Sequence, residues 1–218
     1  MESGDGTLSA TEFRVAACAF SELWKRFNSS CPQWSWIPSP KRSWVHDHNT
    51  EGYLSLENMI PPRLFQKYDV MEEEDGSSAE EDDFIDTAKL VRNHDPEVHH
   101  YNFHIVYSLS YRVPVLYFHA YCSDGQPLAL EDIEKDIPVN SAQLLTKSKW
   151  TFLTQEEHPI LNRPWYTLHP CGTMEWMKLL LGNKTCIDKD GLPVDKYLVS
   201  WFSVVGQIFG LKIPFEMV

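Results

Sequence analysis

HHYNFHIVYSLSYRVPVLYFHAYC, residues 99–122, contains two long extended runs joined by a few residues, and its reading decides the fold. In the first run Tyr101, Phe103, Ile105, Tyr107 and Leu109 alternate with His100, Asn102, His104 and Ser108. A period of two puts one set on each face of a strand, so the apolar set should face a core. After Tyr111-Arg112 the run VPVLYFHAY is apolar at nearly every position, as expected of a strand in the middle of a sheet. Ser123-Asp124-Gly125 is a turn signal that ends it. The pair predicts an antiparallel hairpin, with Pro114 at a first-residue or bulge position.

Working outward from the hairpin, GYLSLENMI (52–60) reads as a further strand ended by Pro61-Pro62. QWSWIPSPKRSW (33–44) reads as an extended segment, with Trp34 and Trp36 alternating as in a half-buried strand. Ahead of both, Ser9-Ala10-Thr11-Glu12 matches a capping box, and Phe13, Ala16, Phe20, Trp24 and Phe27 follow on one helical face. Downstream, LALEDIEKDI (128–137) is a short helix candidate and SKWTFLTQEEHP (148–159) a short strand. LPVDKYLVSWFSVVGQIFG (192–210) is a helix with Leu198, Trp201, Val205 and Ile208 on one face, capped by Gly210. The order predicts one α+β domain over residues 1–218, with a mainly antiparallel sheet of four or more strands packed against helices. Residues 71–83, MEEEDGSSAEEDD, interrupt it with eight acidic residues and little to bury, and predict a disordered acidic insertion. FIDTAKLV (84–91) fits either a short helix or a recognition segment.

Composition narrows the function. With 218 residues, 43% hydrophobic and 13% aromatic, the chain can build a substantial core. A net charge of −12 argues against sequence-independent nucleic-acid binding and against anionic membrane surfaces. The N-terminus lacks the charged and apolar regions of a secretory signal, and no apolar run reaches the roughly 18 residues of a membrane span. Cys18, Cys31, Cys122, Cys171 and Cys186 form an odd set without paired spacing, which predicts free thiols in a reducing, cytoplasmic setting. No metal-ligand spacing occurs: there is no Cys-x-x-Cys, and His99, His100 and His104 lie in a strand, so surface or hydrogen-bonded histidines are the expectation. His46 and His48 flank Asp47 in a polar loop. Glycine-rich phosphate loops and a Gly-x-Ser-x-Gly elbow are missing, so no cofactor is expected.

WYTLHPCGTMEWMKLLLG (165–182) carries the chemistry. Met174, Met177, Leu180 and Leu181 recur at helical spacing, and Cys171 stands beside the first turn. Unpaired N–H groups and the positive end of a helix dipole favour an anion there, hence a thiolate. A cysteine hydrolase would need an oriented base as well. His158 or His169 could supply it, although His169 lies two residues before Cys171 across a rigid proline and is more easily a brace. A thiol without a strong base suits thioester exchange, where an acyl group arrives from another thioester and leaves to an amine.

Four motifs, YSLSYRVPVLYF (107–118), DGQPL (124–128), TQEEHPIL (154–161) and LHPCGT (168–173), resemble the autophagy branch of the ubiquitin-like conjugating enzymes over roughly residues 98–181. The resemblance implies a ubiquitin-conjugating-enzyme-like fold and a catalytic Cys171 that carries the ubiquitin-like autophagy-related protein twelve as a thioester. It implies loading by the activating enzyme, autophagy-related protein seven, and transfer to a lysine of autophagy-related protein five. Thr154 and Glu157 would lie on a loop bordering the site, with His158 and His169 as further supporting candidates. The superfamily's His-Pro-Asn motif is replaced by His158-Pro159-Ile160, so an oxyanion asparagine does not carry over, and Asn140 and Asn162 read as turn or surface residues. Acceptor recognition through an exposed part of the sheet points to the 98–110 strand. Two alternatives remain: a lipid-directed conjugating enzyme like autophagy-related protein three, and a non-catalytic binding module of the same fold.

Overall fold

A computed structural model describes residues 6–39, 51–61, 98–138, 153–182 and 194–217. The acidic stretch 71–83, the 84–91 segment, His46, His48, Asn140 and Cys186 lie outside the described residues.

Helix α1 (Ala10–Phe27) begins at a complete capping box: Glu12 N donates to Ser9 Oγ, and Ser9 N donates back to the Glu12 carboxylate. Both orphan N–H groups are thereby satisfied. Phe13, Ala16, Ala17, Phe20 and Trp24 bury one face of it. Among the described residues six strands follow in sequence: β1 (Ser35–Pro38), β2 (Gly52–Met59), β3 (His99–Ser108), β4 (Val113–Cys122), β5 (Leu153–Glu157) and β6 (Pro164–Leu168). They form one antiparallel sheet in the order β1-β2-β3-β4-β6-β5. Helix α2 (Leu130–Asp136) lies between β4 and β5 in sequence; α3 (Thr173–Gly182) and α4 (Val194–Val205) come after β6.

The expected hairpin is present, with His99 opposite Cys122 and Ser108 opposite Val113. β4 is flanked by β3 and β6, which explains its nearly continuous apolar run. Pro114 is its second residue, paired with Tyr107 in regular register. Leu109 departs from the alternation. It belongs to the 109–112 connection and is 80% exposed, because the period of two ends with the strand at Ser108.

Two layers result. α1 and α4 cover one face of the sheet, where Leu54, Leu56, Phe103, Ile105, Leu116 and Phe118 are buried. Between the helices and the sheet, Phe20, Trp24, Trp34 and Phe202 form an aromatic box with ring centroids 5.3–6.3 Å apart. α4 is buried on more sides than a single amphipathic stripe, with Tyr197, Val199 and Phe202 inside as well as Leu198, Trp201 and Val205. It also ends earlier than its periodicity suggests. A 3-10 turn over Gly206–Phe209 completes it, and Gly210 (φ +71°) terminates that turn. On the sheet's other face Tyr53, Val106, Val115, Tyr117 and Trp165 make a second, smaller cluster.

Candidate active site

β6 leads directly into the 3-10 turn Pro170–Gly172, and that turn runs into α3. Cys171 is the middle residue of the turn, partly exposed and not in a disulfide. His169 caps the turn: the Cys171 N–H donates to His169 Nδ1 at 3.1 Å. With Nδ1 accepting, the proton of a neutral ring sits on Nε2. The His169 ring stands edge-on to Tyr111, 5.8 Å between centroids, so the tip of the β3–β4 hairpin borders the turn. Among the described residues the Cys171 sulfur makes no hydrogen bond with a histidine or a carboxylate.

An N-terminal strap holds this corner together. Leu8 N donates to Arg112 O at 2.8 Å, and Tyr107 Oη donates to Leu8 O at 2.6 Å. Gly6 O accepts from Tyr197 Oη at 2.7 Å, tying α4 to the same segment. Gly6 (φ +76°) lies against α3 so closely that a Cβ there would sit 2.4 Å from Met174 O. α3 does not bury the face that its spacing suggests: Met177 is inside, whereas Met174 and Leu180 are 37% and 42% exposed.

The supporting candidates are dispersed along the β5–β6 hairpin. Thr154 pairs with Thr167, one step from the Leu153–Leu168 pair at the end that leads to Cys171; its hydroxyl donates to Glu156. Glu157 pairs with Pro164 at the opposite end. Asn162 (φ +52°) sits in the intervening turn, its N–H bonded to His158 O. His158 is fully buried on the outer sheet face, in ring contact with Tyr53, His104, Tyr117 and Trp165. Its Nδ1 accepts the Ile160 and Leu161 N–H groups at 3.3 and 3.2 Å, so Nε2 carries the proton. That proton points to His104 Nδ1 at 3.0 Å, and His104 Nε2 in turn faces Glu57 Oε1 at 3.2 Å. Burial pushes the His158 imidazole down to about 4, and the hydrogen bond from His104 holds the Glu57 carboxyl below the usual range.

Sequence reasoning missed Glu57, Tyr111 and the strap. His104 was expected as a surface or hydrogen-bonded histidine; it is hydrogen-bonded and buried. The alternation had placed it opposite the core-facing aromatics, and this outer face is covered by Trp165 and the 158–163 turn. Within the sheet of the described residues β3 is paired with β2 and β4, and the outer positions are held by β1 and β5.

Residues 19–216 match the model of the family described as "Autophagocytosis associated protein, active-site domain". A ubiquitin-like-conjugating enzyme ATG10 of Arabidopsis thaliana is 50% identical over 99% of this chain and 97% of its own length. ATG10 of Homo sapiens is 44% identical over 54% of this chain and 52% of its own. Among solved structures, an autophagic E2, Atg10, has a TM-score of 0.49 at 15% identity, over 94% of this chain and 99% of that one. The class is that of E2-type transferases of ubiquitin-like conjugation. Within it, the chain belongs to the autophagocytosis-associated active-site-domain family. No helix among the described residues is long and apolar enough to cross a membrane.

Proposed function

We propose that Cys171 carries the C-terminal glycine of the ubiquitin-like autophagy-related protein twelve as a thioester and passes it, in the cytoplasm, to a lysine of autophagy-related protein five. The thiolate attacks the thioester carbonyl presented by autophagy-related protein seven, and the thiolate of that activating enzyme leaves. The acceptor amine later attacks the Cys171 thioester, loses its proton, and releases the Cys171 thiolate as an isopeptide bond forms. One thioester is exchanged for another in the first step, so ATP is needed only upstream.

The observation that supports this reading is the setting of the thiol. Cys171 is accessible, uncrosslinked and held at a helix entrance by the His169 cap. Its sulfur has no imidazole partner among the described residues. A carrier must resist water until an amine arrives, and a thiol lacking a positioned base for water suits that need. His169 acts as a positioning residue, since its accepting nitrogen is occupied by the Cys171 N–H rather than by the thiol.

The test is a thioester trap with purified activating enzyme, ATP and autophagy-related protein twelve, resolved with and without reductant. The wild type should give a thiol-sensitive adduct, and Cys171→Ser a thiol-resistant one. Loading only with the lipid-directed modifier of the sister enzymes would reassign the modifier. An adduct that survives unchanged in Cys171→Ala would remove Cys171 from the chemistry.

A further inference from the structure

On the sheet face away from α1 and α4, a cavity of about 540 Å³ opens between β1, β2 and the 158–163 turn. Ile37, Tyr53, Leu161 and Trp165 form its apolar and aromatic walls; Glu57 is its carboxylate and His104 its imidazole. The proposed transfer at Cys171 uses none of them.

The hydrogen bonds behind this cavity all run one way. Two backbone N–H groups fix the His158 tautomer; its Nε2–H serves His104 Nδ1, and His104 Nε2–H ends on Glu57 Oε1. The Ser55 hydroxyl also donates to Oε1. Both imidazoles are therefore neutral in this wiring, and every donor converges on one oxygen. The carboxylate keeps its full negative charge, its pKa held down by those bonds. Its side chain is 51% exposed, and Oε2 takes no hydrogen bond among the described residues. His104 itself lies between the rings of Trp165 (4.1 Å) and Tyr53 (4.4 Å).

A half-exposed anion beside aromatic and aliphatic walls is complementary to a cation on an apolar stem. The cavity opens beside β1, an edge of the sheet whose Ile37 is 37% exposed, and the chain's net charge of −12 attracts basic surfaces. We propose that this cavity takes the side chain of a lysine or arginine presented by a protein partner, with Glu57 as the counter-ion and the Tyr53, Trp165, Ile37 and Leu161 side chains along the stem. The site stands independently of which residue carries the acyl group.

The test uses the full chain with nitrogen-15 tryptophan, the Trp165 indole signal being assigned by its loss in Trp165→Phe. N-acetyl-arginine methylamide and N-acetyl-lysine methylamide are titrated against the neutral citrulline analogue and against spermidine. The arginine or lysine probe should shift the Trp165 signal saturably in the millimolar range, and the citrulline analogue should not. Glu57→Gln should weaken that binding about tenfold while leaving the other indole signals in place. Equal shifts with citrulline, or no effect of Glu57→Gln, would overturn the proposal, as would no Trp165 shift with either cationic probe. Spermidine binding more tightly than both amino-acid probes would assign the cavity to small polyamines instead.

Discussion

His158 shows how one side chain sets a pH dependence. It is neutral and buried among Tyr53, His104, Tyr117 and Trp165, with Glu57 the nearest charge along the chain of bonds. Its pKa falls from the ordinary histidine value of roughly 6.5 to about 4 in the fold, chiefly through burial. A depressed histidine binds its proton more readily when unfolded. Its contribution to stability is therefore complete above about pH 6.5 and is lost as the pH falls toward 4. The shift corresponds to about 3 kcal/mol at most. The folding free energy from urea titrations should drop across that window in the wild type, and His158→Gln should flatten the slope. An equal slope in the variant would show that other groups carry the effect. This site was only partly legible beforehand. His158 stood out as a histidine-proline pair, but its bond to His104 spans 54 positions, and no local pattern encodes such a contact.

Among elements, α3 and the strap ahead of α1 are the instructive pair. The helical spacing of Met174, Met177 and Leu180 suggested a common buried stripe, yet Met177 alone of the three is buried. The strap passes along α3 instead, and Gly6 can make that approach because it lacks a Cβ and tolerates φ +76°. Gly6→Ala must move Met174 O or the strap itself. The cost should be at least about 2 kcal/mol, from positive φ and steric overlap together. Urea unfolding would measure it, and amide exchange should rise in α3 and at Leu8, whose N–H bonds Arg112 O. A change below about 0.5 kcal/mol, typical of an ordinary surface substitution, would mean that the strap is not a fastening. Nothing in the composition of Gly6-Thr7-Leu8 marks it as structural. Its role comes from partners in β3, α3 and α4.

For the whole molecule, α1 and α4 are joined to each other and to Trp34, just ahead of β1, through the rings of Phe20, Trp24 and Phe202. Phe202 touches all three of the others and is completely buried. Phe202→Ala should cost about 3–5 kcal/mol, the usual range for an aromatic removed from a packed core. That is a large part of the roughly 5–15 kcal/mol by which a domain is stable. The guanidinium midpoint should fall accordingly, with loss of near-ultraviolet circular dichroism from Trp24 and Trp34. An unchanged midpoint would mean that the layer is anchored elsewhere.

By itself the sequence determined the elements whose burial is periodic. The capping box and first helix, the 99–122 hairpin, the β2 run and the α+β order all follow from spacing, because a strand or helix facing one core must repeat its apolar residues at its own period. The helix start behind Cys171 was legible for the same reason. Tertiary structure decided what depends on residues far apart in the chain. It set the strand order with β1 and β5 as edges, the Glu57–His104–His158 line, the approach of Tyr111 to His169, and the outward turn of Met174 and Leu180. Local sequence encodes which face of an element is apolar; only packing determines what covers that face, and thus which polar groups must find each other inside.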